Sequence, residues 1–290
     1  MMMSLKEIIT KAEAEKKAVG HFNISDSSAL KGIFEAARKL NLPVLIGTSE
    51  GERDFLEARE AVALVKELRE EYDYPIFLNA DHTHSLAKVK EALEAGYDAI
   101  LFDGGRLPLE ENIKATKEAV DYVRATRPGV LIEGEMGYIG TSSEILKEIP
   151  KGAAVTEEDM TKPDEAERFV RETGVDLLAP AVGNIHGMLA SGEEPRLDIG
   201  RIGEIKARVG IPLVLHGGSG TSDDDFREAI KAGISVIHIN TEIRKAWREG
   251  LEEGLKEAPD EVAPYKLLDK AVEDVKRVVE KRLKLFSGLS

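Results

Sequence analysis

Short, continuously apolar runs alternate along this chain with longer stretches whose apolar residues recur every three or four positions. The runs lie at 19–22, 44–48, 76–80, 99–103, 130–135, 177–181, 213–216 and 236–240, and the helical patterns between and after them at 27–40, 55–71, 85–95, 109–126, 163–173, 199–208, 222–232 and 242–255. Runs of this length are strands buried on both faces, and the longer period is that of amphipathic helices. Several units share a grammar in which a helix stops at glycine and a strand starts two or three residues later, as at Gly96, Gly174 and Gly233. Glycine supplies the left-handed turn that ends a helix. Eight strand–helix units in about 250 residues predict an α/β fold of the closed (β/α)8 barrel type. An open doubly wound sheet is the rival, but it needs fewer units.

The pattern predicts one domain over 1–290, with a short helix at 5–16, the barrel over about 17–256 and a helical extension over 257–290. Two segments depart from the rhythm. Residues 137–162 separate the fifth strand from its helix, and a connection that long in a compact domain is usually functional. Over a barrel mouth it predicts a lid, with a solvated insertion as the bland alternative. In the extension, Leu267, Leu268, Val272, Val275, Val278 and Val279 form one apolar stripe. It predicts a helix packed outside the barrel or on another subunit.

The strand ends carry the polar residues: Asn23, Ser49, Asp81-His82, Asp103, Glu135, His186, His216 and Asn240-Thr241. Barrel enzymes build their sites at this face. A lone histidine there is usually a hydrogen-bonded structural residue, but His82, His186 and His216 together are half of the six histidines in the chain. Three imidazoles with an open position make a catalytic zinc site. Glu135 is an additional or alternate ligand, or else a partner for a basic neighbour. The turn Gly217-Gly218-Ser219-Gly220 precedes a helix, and its amides can cradle a phosphate where barrels commonly hold one. No lysine ends a strand, which favours metal chemistry over a Schiff base.

Composition narrows the field. A net charge of -14 opposes a nucleic-acid or anionic-membrane surface. There is no cysteine, so thiolate ligands, cysteine nucleophiles and disulfides are excluded. No signal peptide and no apolar run long enough to span a membrane are visible, and a soluble cytoplasmic protein is expected.

The motifs, taken together, resemble the class II, zinc-dependent fructose-bisphosphate and tagatose-bisphosphate aldolases over almost the whole chain. The resemblance is carried by Gly20-His21-Phe22-Asn23, Ser49-Glu50-Gly51, Asp81-His82, Glu133-Gly134-Glu135-Met136-Gly137, Val182 to Gly187, Leu215 to Gly220, and the tail from Pro259. It implies that His82, His186 and His216 bind Zn2+, with Glu135 nearby, and that Asp81 moves the proton of the C4 hydroxyl. It implies that Gly187, Gly217, Gly218, Ser219 and Thr241 hold the phosphate of dihydroxyacetone phosphate, that Asn23 and Ser49 lie towards a second phosphate, and that Glu144 or Glu148 of the long loop protonates the enediolate. It further implies a phosphorylated sugar substrate, a homodimer or homotetramer and, as in some relatives, a monovalent cation, Na+ or K+. A related ketose phosphate, or a non-catalytic companion subunit, are the alternatives.

The chain departs from the family pattern at several positions. Ala190 stands for a lysine, His238 for the eighth-strand asparagine, Tyr265 (beside Lys266) for a tail arginine, and His84 for a small or polar residue. The expectation is therefore that Asn240 makes the enediolate contact with His238 as its support. The phosphate would rely on backbone amides, Thr241, and Arg244 or Lys245.

Overall fold

A computed structural model describes residues 3–289. Among them, eight parallel strands close into a barrel in sequence order: β1 (Val19–Asn23), β2 (Val44–Thr48), β3 (Ile76–Thr83), β4 (Ala99–Phe102), β5 (Leu131–Met136), β6 (Leu177–Pro180), β7 (Leu213–Leu215) and β8 (Ile234–Ile239). The helices are α1 (Leu5–Ala14), α2 (Ser27–Leu40), α3 (Glu50–Leu56), α4 (Ala58–Tyr72), α5 (Leu86–Ala95), α6 (Leu109–Thr126), α7 (Pro163–Thr173), α8 (Ile199–Val209), α9 (Asp223–Ala232), α10 (Thr241–Glu257), α11 (Pro264–Leu267) and α12 (Asp269–Ser287). None is long and apolar enough to cross a membrane.

Strand periodicity divides the core in two. Ile46, Ile76, Leu78, Ile100, Ile132, Leu178, Ile237 and Ile239 face the helices in the larger cluster. Val19, Leu45, Phe77, Leu131, Leu177, Val214 and Val236 fill the barrel's lower interior, where Leu5, Ile8 and Ile9 of α1 close it. Successive side chains on a strand alternate sides, so the next inward positions along β1, β3, β5 and β8 are His21 and Asn23, Asn79 and Asp81, Glu133 and Glu135, and His238, all buried. The interior thus changes from apolar at the bottom to polar at the mouth.

Several boundaries differ from the sequence expectation. The segment predicted as a helix at 55–71 is two helices: α3 starts earlier, and Glu57, at φ 64°, breaks the chain before α4. β3 continues past Ala80 because its pairing with β4 shifts register between Ala80 and Thr83. The tail starts with the short α11, and α12 then packs on α2 and α10, with Val275, Val279, Leu283 and Phe286 joining the larger core. The connection 137–162 has no helix among its residues; Ile145–Leu146 pairs in parallel with Met188–Leu189, beyond β6.

Candidate metal centre and substrate cavity

The register shift in β3 is the local device that builds the site. A bulge re-aims side chains that strict alternation would send to opposite faces, and here it lets Asp81 and His82 both serve the barrel mouth. His82 takes a φ of 43°, a region that costs a non-glycine residue energy and is tolerated where the surroundings fix it. The surroundings include Arg53, which is buried. Its guanidinium donates to the carbonyl of Thr48, to that of Asp81 at 3.0 Å and to Thr83 Oγ1 at 3.2 Å. It ties the end of β2 to the bulge.

His82, His186 and His216 each present one ring nitrogen, and these atoms lie within 4.8 Å of one another. The rings stand 71–84° apart in pairs, with centroids 4.7 to 5.9 Å apart. His82 Nδ1 donates to Asp103 Oδ2 at 2.8 Å, and His216 Nε2 donates to Glu133 Oε1 at 2.7 Å. The second ring nitrogen of each is thereby turned towards the centre. His186 Nε2, His216 Nδ1 and Glu135 Oε2 are buried and have no hydrogen-bond partner within the protein. Buried polar atoms are rarely left so. Three convergent imidazoles, two braced by carboxylates and accompanied by an orphaned carboxylate oxygen, fit a divalent ion and its outer shell.

Electrostatics of the metal-free site agree. Burial pushes His186 well below the usual imidazole range, so its nitrogen is free to ligate. Burial also opposes charge on His82 and His216, but Asp81 and Asp103 raise His82 and Glu133 raises His216. Burial, then the Asp103 charge, pushes Glu135 up to about 8. A cation in the centre would relieve this crowding of acids. Asp81, despite burial, is held well below the usual carboxylate range by His82 and His238.

Beneath the centre lies a second imidazole layer. His21 and His238 stack with centroids 3.4 Å apart and planes 4° apart. His238 Nδ1 is 3.3 Å from Asp81 Oδ1, and Asn79 Nδ2 donates to His21 Nε2 at 3.2 Å. A Cβ at position 47 would lie 2.1 Å from the His21 ring, so glycine in β2 is what admits it. His238 therefore neighbours Asp81 rather than Asn240, and both His238 and Asn240, which follows β8, line the cavity.

The cavity over the centre has two sides. One is lined by Gly187, Gly217, Ser219 and Thr241. Gly218 belongs to the same turn, but its amide donates to His238 O at 3.1 Å, so it shapes the turn without an amide to offer. Ser219 Oγ accepts from Glu242 N and can still donate its own proton. The other side is lined by Ser49, His84, Gly140, Thr141, Ser143 and Arg244. Asn23 and Asp81 line the first side, with Asn23 Nδ2 donating to Asp81 Oδ2 at 2.9 Å, and His82, His186, Ser143 and Asn240 line both. Glu144 and Glu148 are exposed and line neither side. Lys245 pairs with Glu249, away from both, and Ala190 is exposed. Among the described residues no lysine lines either side. A cavity of about 500 Å3 at the opposite end, beside Ile8, Lys11 and Leu42, holds none of the ligating clusters.

Sequence reasoning did not single out the bracing roles of Asp103 and Glu133, nor His21, Glu52 and Arg53. Period-two alternation through β5 puts Glu133 on the same face as Glu135, and Ser49-x-x-Glu52 has the spacing of a capping box. Both signals were present.

Comparison with known proteins extends the picture. The family model described as "Fructose-bisphosphate aldolase class-II" matches residues 3–288. A fructose-bisphosphate aldolase of Geobacillus stearothermophilus is 34% identical over 290 residues, covering 99% of this chain and 97% of that protein. One of Staphylococcus epidermidis is 33% identical over 288 residues, covering 98% and 97%. Among solved structures, the YdjI aldolase of Escherichia coli K12 matches with a TM-score of 0.80 at 29% identity, covering 99% of this chain and 97% of that one. The fructose-bisphosphate aldolase of Campylobacter jejuni, at 21% identity, has the same fold with a TM-score of 0.83, covering 99% and 96%.

Proposed function

The chain belongs to the class II fructose-bisphosphate aldolase family, whose members are metal-dependent lyases, and we propose that it cleaves fructose 1,6-bisphosphate to dihydroxyacetone phosphate and glyceraldehyde 3-phosphate, and runs the reverse condensation, with Zn2+ at the three histidines. One observation carries the reading: His186 Nε2 and His216 Nδ1 are buried and unpartnered, beside His82 and next to a carboxylate, Asp81, that a substrate hydroxyl can reach.

Retro-aldol cleavage needs a base at the C4 hydroxyl, a sink for the electron pair left at C3, and a proton to quench it. His82, His186 and His216, with Glu135 as the alternate ligand, would hold a divalent ion, which would supply the sink by polarising the ketone. Asp81 takes the C4 hydroxyl proton; the C3–C4 bond breaks, C4 becomes the aldehyde carbon, and the electron pair stays on C3, conjugated with C2. Asn23 and His238 hold Asp81 from two sides, which fixes its reach, and positioning of this kind is where much of a catalyst's advantage lies. Asn240 supports the charge that develops on the enediolate. Gly187, Gly217, Ser219 and Thr241 take the phosphate of the triose half, with Gly218 shaping their turn. Ser49 and Asn23 face the aldehyde half. Glu144 or Glu148 delivers the proton to C3 once the long loop brings it inward.

The same reading makes the protein a cytoplasmic homodimer or homotetramer; exposed Phe55, Val262 and Tyr265 offer apolar surface for it, and sedimentation velocity tests this part. The chemistry is tested by triose phosphate release from fructose 1,6-bisphosphate in a coupled assay. Zinc-loaded protein should turn over, and His216→Ala should lose zinc and turnover together while keeping its fold. A His216→Ala protein that cleaves the sugar as fast as the wild type would remove the centre from the reaction.

A further inference from the structure

On the aldehyde side of the cavity, the polar groups that face the substrate converge behind the wall on one side chain, Glu52. Its carboxylate is only 5% exposed. Oε2 accepts from Asn23 Nδ2 at 2.9 Å and from the Ser49 amide at 2.8 Å. Oε1 accepts from Arg244 Nη2 at 2.7 Å and from Asn240 Nδ2 at 3.4 Å. Ser49, Asn240 and Arg244 line this side, and Arg244 is the only Lys or Arg to do so among the described residues. An anion entering here would meet donors whose strongest acceptor is already an anion, and an arginine whose charge is already matched.

We propose that Glu52 is a specificity-determining residue for the aldehyde half: its charge weakens the site's hold on an aldehyde bearing its own phosphate, relative to an uncharged hydroxyaldehyde. The inference rests on the functional reading above and refines it at the end of the substrate that leaves as aldehyde. A phosphate at this end must share Arg244 with Glu52 and must approach a buried carboxylate. A hydroxyl group carries neither penalty. Glu52 also has an ordinary structural use, since it occupies the third helical position of α3, where it caps the Ser49 amide. Glutamine serves in that position equally well. Glu52→Gln therefore removes the charge and keeps the cap.

The test is the condensation of dihydroxyacetone phosphate with either glyceraldehyde 3-phosphate or glyceraldehyde. The ratio of the two kcat/KM values is taken within each protein, so any loss common to both aldehydes, such as a shift of Asp81 through Asn23, cancels. Glu52→Gln should raise the ratio in favour of the phosphorylated aldehyde at least tenfold, chiefly through a lower KM for it. Arg244→Gln, which leaves Glu52 uncompensated, should lower the ratio by a similar factor, and it reads the same pair should the first variant not fold. A ratio unchanged within twofold in both variants, or an equal loss on both aldehydes, would overturn the proposal and leave the aldolase reading intact. If the zinc-loaded wild type neither condenses either aldehyde nor exchanges the C3 hydrogen of dihydroxyacetone phosphate with solvent, the functional reading fails and this inference with it.

Discussion

The proposed base, Asp81, has to be ionised and within reach of the substrate hydroxyl. The fold places it one residue before His82 on a bulge, with Asn23 at 2.9 Å and His238 at 3.3 Å. Asp81→Ala should keep its zinc and lose about 100- to 10,000-fold in kcat, the range for a general base; a loss under about tenfold, with zinc content unchanged, would move the base elsewhere. Glu135 allows a test on protein stripped of metal. Its carboxyl rises from the ordinary 4.5 to about 8 because of burial and the Asp103 charge. The native metal-free protein then holds a proton that the unfolded chain has released. The sign follows: stability falls as pH rises from about 4.5 through about 8. The difference in melting temperature between metal-free Glu135→Gln and wild type should grow across that window in favour of the variant; a constant difference would contradict it. The convergence of the three histidines was legible in the sequence because each lies at or beyond the C-terminal end of a barrel strand, the face where barrels gather polar side chains. The carboxylates that brace them were not, because Asp103 reaches His82 from the neighbouring strand and Glu133 of β5 reaches His216 past β6, a register the sequence does not print. Gly218 shows the converse: a glycine with the right spacing whose amide is taken by His238 O.

Among the elements, strands and most helices were set by period and glycine stops, and 109–126 and 163–173 agree at both ends with α6 and α7. The break at Glu57 was not legible, since no glycine or proline marks it. The long connection is pinned at both ends: Thr161 Oγ1 donates to Met136 O at 2.9 Å, and His186 N donates to Ile139 O at 2.8 Å. Its middle, 141–150, is held mainly by the two-residue ladder to Met188–Leu189. A segment with few buried contacts opens easily. Hydrogen exchange at 141–150 should slow when zinc-loaded protein binds dihydroxyacetone phosphate, while 153–161 changes little; equal protection with and without ligand would argue against a lid. The tail helix depends on close approach. A Cβ on Gly250 of α10 would lie 2.6 Å from the Ala271 Cα of α12. Gly250→Ala should therefore destabilise the protein by about 1–3 kcal/mol, the usual penalty of overpacking, read as a shift in the denaturant midpoint. A neutral substitution there would mean α12 is not seated as described.

At the scale of the whole molecule, the chain separates its two tasks along the barrel axis. The lower interior, closed by α1, is apolar and carries stability. The upper interior is a continuous polar layer from His21 to Glu135, and barrels of this kind place chemistry at that end. The architecture was readable because eight units repeat one rhythm. The link through Arg244 between Glu52 and Ser143 of the long connection was not readable, because the three residues are far apart in the chain. The proposed chemistry turns on one ion at His82, His186 and His216. The direct test is stepwise addition of Zn2+ to chelator-stripped protein, with bound zinc and triose phosphate release from fructose 1,6-bisphosphate followed together. No release is expected at the start, followed by a linear rise that saturates at one zinc per chain. Full cleavage by the stripped protein, or one zinc bound at the three histidines without cleavage, would contradict it.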